Sequence, residues 1–240
     1  LLLSAEQNYN IAKKKDLVSA DYNEDGVVDL KSEYVFAHAY YASSFDKGGK
    51  TSYMEDITRA FLDGRKLITS ANGEKLTDAQ RSELMGYVAI ISENWQKVIA
   101  ESVFKYAGST YKSLVALEDV NNDDLAKEFS KYMKYWGELK GFSMALQVGK
   151  DNIGESATKL NRMIGFGPML MDETQIVGID SKGNYVMDKI YSMNDAKLHM
   201  LKIQKLMIDE FGVEARSNDM LADMADLASK IGTSESAEND

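Results

Sequence analysis

Apolar residues recur every three or four positions along most of this chain, which is the spacing of an amphipathic α-helix. One clear stripe consists of Met54, Ile57, Phe61, Gly64 and Ile68. The longest stripe consists of Leu84, Tyr87, Val88, Ile91, Trp95, Val98, Ser102 and Tyr106. Thr77 and Gln80 precede it at the spacing of a capping box. We expect Gly108 to end this helix and Trp95 to be buried against another helix.

Further helices are predicted where similar stripes lie between capping residues and glycines. They cover residues 4–18, 34–46, 124–141, 194–212 and 218–232. Residues 176–186 contain turn-forming residues at 180–184, which indicate at most one short β-hairpin. The chain contains a single proline, and since helices tolerate little proline, it can be mostly helical. The predicted fold class is therefore all-α, made of one or more helical bundles.

The length of 240 residues suits one large helical domain or two small bundles. We expect residues 1–232 to form a single helical domain. Because the first residue is leucine, we interpret the chain as a processed or trimmed product. The polar and acidic residues 233–240 predict a disordered tail.

Charge and cysteine content exclude several classes of function. The formal net charge of −10 disfavours nucleic acid, whose phosphates an acidic surface repels. The absence of cysteine excludes disulfides, thiolate metal sites and cysteine nucleophiles. No apolar stretch is long enough for a transmembrane segment. An acidic chain remains compatible with metal cations.

One segment carries the pattern of a calcium-binding loop, D-x-[DN]-x-[DN]-G. Asp21, Asn23 and Asp25 occupy alternating positions whose side chains can turn toward one centre. Gly26 permits the sharp turn, the carbonyl of Val27 supplies another oxygen, and Asp29 binds directly or through water. Calcium prefers six to eight such oxygen ligands.

The loop departs from the EF-hand pattern at its last ligand position. That position is Ser32, and the acidic residue follows one place later, as Glu33. Either the helix start shifts to bring Glu33 to the ion, or water fills the gap. The alternative is an Asx-rich turn without an ion, since Asp and Asn favour turns and caps by themselves.

Other polar residues favour structural interpretations. His38 and His199 are the only histidines, and their separation in sequence argues against a zinc site. The spacing of Glu93, Lys97 and Glu101 indicates a solvated salt-bridge ladder. The acidic run at residues 121–124 is interpreted as a helix cap, and the glycines at 165–167 as a bend.

Three stretches carry a resemblance to a known family. They are DGVVDLKSEYVF at residues 25–36, AFLDGR at 60–65 and ENWQKVIA at 93–100. Their order and spacing resemble a group of bacterial envelope proteins of unknown function related to imelysin and iron-regulated protein A. The resemblance covers about residues 21–211, but the family's G-x-H-x-x-E motif does not occur here. No family site residue is therefore transferred to this chain.

The resemblance implies an imelysin-like helical fold and placement in the periplasm, or at the cell surface as an outer-membrane lipoprotein, of a Gram-negative bacterium. Members of the family are longer, which implies that residues 1–232 are the C-terminal portion of a longer protein. The resemblance also implies a role in iron uptake, although no iron ligands are identified. The leading hypothesis is a non-enzymatic, calcium-stabilised envelope binding protein with a metal ion and an envelope protein as its partners. Two alternatives stay open: a metal-dependent hydrolase with ligands partly upstream of this chain, and a structural helical module for protein interaction.

Overall fold

A computed structural model describes residues 24–26, 37–149 and 152–231. The chain divides into two compact units, Leu1–Val98 and Ile99–Asp240, each described separately below. The helix predicted at residues 4–18 and the acidic tail at 233–240 lie outside the described residues. The described parts agree with the prediction of a mostly helical chain with one short hairpin.

Seven α-helices and two β-strands occur in the described part of the chain. The helices are α1 (Ala37–Asp46), α2 (Tyr53–Ser70), α3 (Asp78–Glu118), α4 (Leu125–Gln147), α5 (Glu155–Ile164), α6 (Met193–Phe211) and α7 (Met224–Ile231). The strands β1 (Gln175–Ile179) and β2 (Tyr185–Asp188) lie between α5 and α6. The boundary between the two units falls inside α3.

A single carboxylate joins the first two helices. Asp46, the last residue of α1, accepts hydrogen bonds from the Thr51 hydroxyl at 2.7 Å and the Tyr53 N–H at 2.9 Å. It also accepts the Met54 N–H at 2.7 Å. The first N–H groups of a helix lack partners within the helix, so this carboxylate serves as the cap of α2. The end of α1 lies where the sequence predicted it.

Helix α3 begins as predicted but does not end as predicted. The Thr77 N–H donates to Gln80 Oε1 at 2.9 Å, and the Gln80 N–H donates to Thr77 Oγ1 at 3.2 Å. These bonds confirm the capping box. The prediction that Gly108 ends the helix is wrong, because α3 continues to Glu118.

Gly108 serves close packing instead. A Cβ atom at Gly108 would lie 2.0 Å from the carbonyl oxygen of Asn218 and 2.6 Å from Gln204 Nε2. The Gln204 side chain donates to the carbonyls of Phe104 at 3.0 Å and Asn218 at 2.8 Å. The glycine therefore permits α6 and the loop before α7 to approach α3.

Glu101 is a second place where α3 holds that loop. Its carboxylate is fully buried and accepts the backbone N–H groups of Glu214 at 2.6 Å, Ala215 at 2.6 Å and Arg216 at 3.1 Å. The interpretation of Glu101 as part of a solvated ladder is therefore wrong. Its partners lie more than one hundred positions away in sequence, beyond the reach of a helical spacing rule.

A row of three polar side chains on α4 holds the segment that follows α5. The Trp136 indole donates to the last carbonyl of α5 at 3.1 Å, and Lys140 Nζ donates to the Gly165 carbonyl at 2.6 Å. The Met169 N–H donates to the Tyr132 hydroxyl at 3.0 Å. Burial raises the pKa of Tyr132 and lowers the pKa of Lys140. Helix α4 continues to Gln147, so the prediction that Gly141 ends it is wrong.

The predicted hairpin is confirmed. Strand β1 pairs with β2 in antiparallel register, with an irregularity between Ile176 and Gly178. Asp180 closes the turn by accepting the backbone N–H groups of Lys182 and Asn184, both at 2.8 Å. Aspartate commonly stabilises turns in this way.

Helix α6 lies at the centre of the second unit. Ser192 and Asp195 form a capping box at its start, two residues before the Asn194 cap expected from the sequence. Gly212 ends it with φ of 59°, as predicted. The residues of α6 that face the core include Leu201, Ile203 and Met207, which are fully buried. Among the described residues, no helix combines the length and apolar character needed to cross a bilayer.

Candidate functional site

The first unit contains an apolar cavity of about 570 Å³ between α1, α2 and the first part of α3. We call it the aromatic pocket. Its lining residues are His38, Ala39, Ala42, Met54, Ile57, Thr58, Phe61, Leu62 and Trp95. The described residues that line it carry no formal charge when His38 is neutral. Its volume lies within the range of small-molecule sites in proteins.

Three aromatic rings stand at this pocket. The His38 ring stacks on Trp95 with centroids 5.2 Å apart, and Phe61 lies 6.1 Å from Trp95. Trp95 is 39% exposed and Phe61 is 52% exposed. The expectation that Trp95 is buried against another helix is therefore wrong. Trp95 contacts rings on α1 and α2 but also borders the cavity, which leaves it partly exposed.

Among the described residues that line the aromatic pocket, His38 is the one titratable group. Burial lowers its pKa, and a backbone hydrogen bond with Trp95 acts in the opposite direction. Its Nε2 atom is buried and has no hydrogen-bond partner within the described part of the chain. The imidazole is consequently neutral near pH 7, which preserves the apolar character of the pocket.

A second cavity, of about 430 Å³, lies between α2 and α3. We call it the Arg65 pocket. Its lining residues are Ala60, Phe61, Gly64, Arg65, Ile68, Thr69, Leu84, Tyr87, Val88 and Ile91. Phe61 lines both pockets and stands between them. A Cβ at Gly64 would lie 3.3 Å from Leu84 Cδ1, so this glycine permits α2 and α3 to pack closely.

Arg65 differs from the other charged residues of α2. Arg59 forms an ion pair with Glu55, and Lys66 forms one with Asp63 at 3.0 Å. Among the residues that the structure describes, none forms an ion pair or hydrogen bond with the Arg65 side chain. A guanidinium carries five N–H donors suited to a carboxylate or phosphate, so Arg65 is the available anion-binding group of this surface.

Most of the predicted calcium ligands lie outside the described residues. Asp21, Asn23, Val27, Asp29 and Glu33 are among them. Asp25 is described, and it lies exposed in a bend. Gly26 beside it has φ of 82°, a left-handed conformation that favours glycine.

The weaker sequence candidates have structural roles in the described regions. His199 is fully buried on α6 and contacts Tyr191 edge-to-face at 4.7 Å. His38 and His199 belong to different units. Asn121 Oδ1 accepts the Asp124 N–H at 3.0 Å at the start of α4. Within the described residues, no group of three or more metal-binding side chains occurs.

Neither pocket was predicted from the sequence. The stripes of α2 and α3 include Phe61 and Trp95, which stay partly exposed. Ala39 and Ala42 of α1 line the aromatic pocket beside these larger residues. Periodicity predicts an apolar face, but it does not show whether a neighbouring helix fills the space beside that face.

Comparisons with protein-family models, with curated proteins and with solved structures find no match for this chain. The resemblance to imelysin-related envelope proteins stays a prediction.

Proposed function

We propose that this chain is a non-enzymatic binding protein that holds an apolar ligand in the aromatic pocket and is stabilised by calcium at the loop of residues 21–33. The observation that carries the proposal is the cavity of about 570 Å³ with half-exposed Phe61 and Trp95 at its edge. Large aromatic side chains left facing an apolar space lose the free energy that burial would provide. A ligand that fills the space recovers it.

The lining of the aromatic pocket favours binding over catalysis. Thr58, the one hydroxyl residue among the described lining residues, donates to the Met54 carbonyl of its own helix at 2.6 Å. His38 stacks on Trp95, and its buried Nε2 does not face an open approach. These groups supply contact area and shape. Envelope placement and a link to iron uptake belong to the same proposal and rest on the family resemblance alone.

Titration with a neutral fluorescent probe, N-phenyl-1-naphthylamine, tests the binding function. We expect a saturable rise in probe emission at one site per chain, because the probe leaves water for an apolar pocket. Ala39→Phe, which fills the pocket from α1, should abolish the saturable signal. Circular dichroism melting of the variant shows whether it folds.

Met85→Ala is the matched control for non-specific adsorption. Met85 is an exposed apolar residue of α3 that lines neither pocket. Its removal should leave the probe affinity unchanged. A linear, non-saturable signal that Ala39→Phe leaves intact would contradict the proposal.

Thermal melting with a chelator tests the calcium part of the proposal. Chelation should lower the melting temperature and calcium should restore it, because an ion bound only by the folded state stabilises that state. A hundredfold excess over Kd corresponds to about 2.7 kcal/mol. Magnesium should restore it poorly, since it requires a compact octahedral site and retains its water.

Two variants separate ion binding from an Asx turn. Asp25→Ala should abolish the calcium response, because it removes a ligand of the predicted loop. Glu33→Gln decides whether the late carboxylate reaches the ion, in which case affinity falls sharply. If neither chelator nor calcium shifts the melting temperature of the unchanged protein, the loop binds no ion.

A further inference from the structure

We propose that the aromatic pocket and the Arg65 pocket together bind one long-chain carboxylate, with its headgroup on Arg65 and its alkyl chain extending past Phe61 toward Trp95. This inference rests on the proposed binding function and names the class of ligand. It follows from three features of the first unit: an available cation, two adjoining apolar cavities, and an uncharged far end.

The available cation is Arg65. The neighbouring Arg59 and Lys66 of α2 are engaged by Glu55 and Asp63, whereas no described side chain engages Arg65. On a chain with a net charge of −10, an unopposed guanidinium beside an apolar cavity selects a ligand that combines negative charge with apolar surface. Carboxylates match the guanidinium with two parallel hydrogen bonds.

The two cavities adjoin at Phe61. This ring lines both of them and is 52% exposed, so its side chain has room to change rotamer. Exposed side chains change rotamer within picoseconds to nanoseconds. A shift of Phe61 joins the two spaces into one groove along α2.

The length of the joined groove indicates a long chain. Arg65 and Met54, which lie toward its two ends, are 11 residues apart on α2. At about 1.5 Å per residue, they are separated by about 16 Å along the helix axis. An extended alkyl chain spans this distance, whereas a compact aromatic acid leaves one pocket empty.

The far end of the groove favours hydrocarbon. The described residues of the aromatic pocket are uncharged, and its His38 is held neutral. A second charged group there would lose hydration without gaining a partner. The ligand is therefore a monocarboxylate with its single charge at the Arg65 end.

Displacement of N-phenyl-1-naphthylamine from the full chain tests the ligand class. Dodecanoate, dodecanol and butanoate are compared below the concentrations at which they form micelles. We expect dodecanoate to displace the probe at least about tenfold more strongly than dodecanol, which corresponds to one charge-assisted interaction. Butanoate should displace little, because it lacks the chain that fills the groove.

Arg65→Met identifies the headgroup contact. It should weaken the affinity for dodecanoate about tenfold and leave the affinity for dodecanol unchanged. Methionine keeps an apolar side chain but removes the charge. Arg59→Met, on the same helix but lining neither pocket, should change neither affinity. This contrast supports a specific contact over a general effect of net charge.

The remaining outcomes overturn the inference in distinguishable ways. If dodecanoate and dodecanol displace the probe equally, the pocket binds apolar ligands but does not select a carboxylate. Probe binding that appears only after residues 1–23 are deleted would assign the groove to the chain's own segment. Probe binding that falls as protein concentration rises would assign it to a second copy. Failure of the probe to bind any of these forms defeats the proposed function itself.

Discussion

Gly108→Ala is expected to lower the free energy of unfolding by about 3 kcal/mol or more. The new methyl carbon would lie 2.0 Å from the Asn218 carbonyl oxygen, which is a backbone atom with little freedom to move. The same substitution would also displace Gln204, whose amide joins α3 to the loop before α7. Urea denaturation followed by circular dichroism measures the loss.

Gly137→Ala is the matched control, and we expect it to stabilise the protein instead of destabilising it. Gly137 lies within α4, in the same unit, and nothing lies within 4 Å of its added Cβ. Gly137→Ala should raise the free energy of unfolding by about 0.5–1 kcal/mol, because alanine is the better helix former. If Gly108→Ala also stabilises the protein, α3 and the loop before α7 do not make the close contact described here.

Glu101→Ala is expected to lower the free energy of unfolding by about 3–5 kcal/mol. Three backbone N–H groups, from residues 214–216, would lose their shared acceptor inside a closed site. An unpaired buried donor costs about 1–3 kcal/mol, and water replaces a buried carboxylate incompletely. Urea denaturation monitored through Trp136, the tryptophan of the second unit, measures the change.

Two glutamine variants separate shape from charge. Glu101→Gln keeps one acceptor oxygen but turns an amide N–H toward backbone donors, so it should lose part of the stability that alanine loses. Glu93→Gln, two turns earlier on the same helix, replaces an exposed carboxylate and should have little effect. Equal and small effects at both positions would mean that Glu101 does not hold the loop.

Sequence patterns correctly predicted those structural features that depend on residues close together in the chain. The capping box of Thr77 and Gln80, the hairpin turn at Asp180 and the helix end at Gly212 each depend on residues within a few positions. The same rules failed at Gly108, where glycine is needed by a partner about one hundred positions away. The local sequence does not distinguish a glycine that ends a helix from one that lets another segment pack closely against it.

The candidate site was predicted least well, because a cavity is a property of three helices together. The stripes containing Phe61 and Trp95 indicated one apolar face on each of α2 and α3. They could not show that alanines on α1 leave the space beside these faces unfilled. Helix α5 was also not predicted from its short apolar pattern. Whether a described side chain pairs with Arg65 depends on where every neighbouring carboxylate lies, which spacing along one helix does not determine.

In the proposed function, an apolar ligand binds beside Trp95. Contact quenching by the neutral heavy-atom probe 1-bromonaphthalene tests it most directly, because the two tryptophans, Trp95 and Trp136, lie in different units. We expect saturable quenching of part of the tryptophan emission. This quenching should be lost in Trp95→Phe, while Trp136 continues to emit. Absence of saturable quenching, or quenching that persists unchanged in Trp95→Phe, would contradict it.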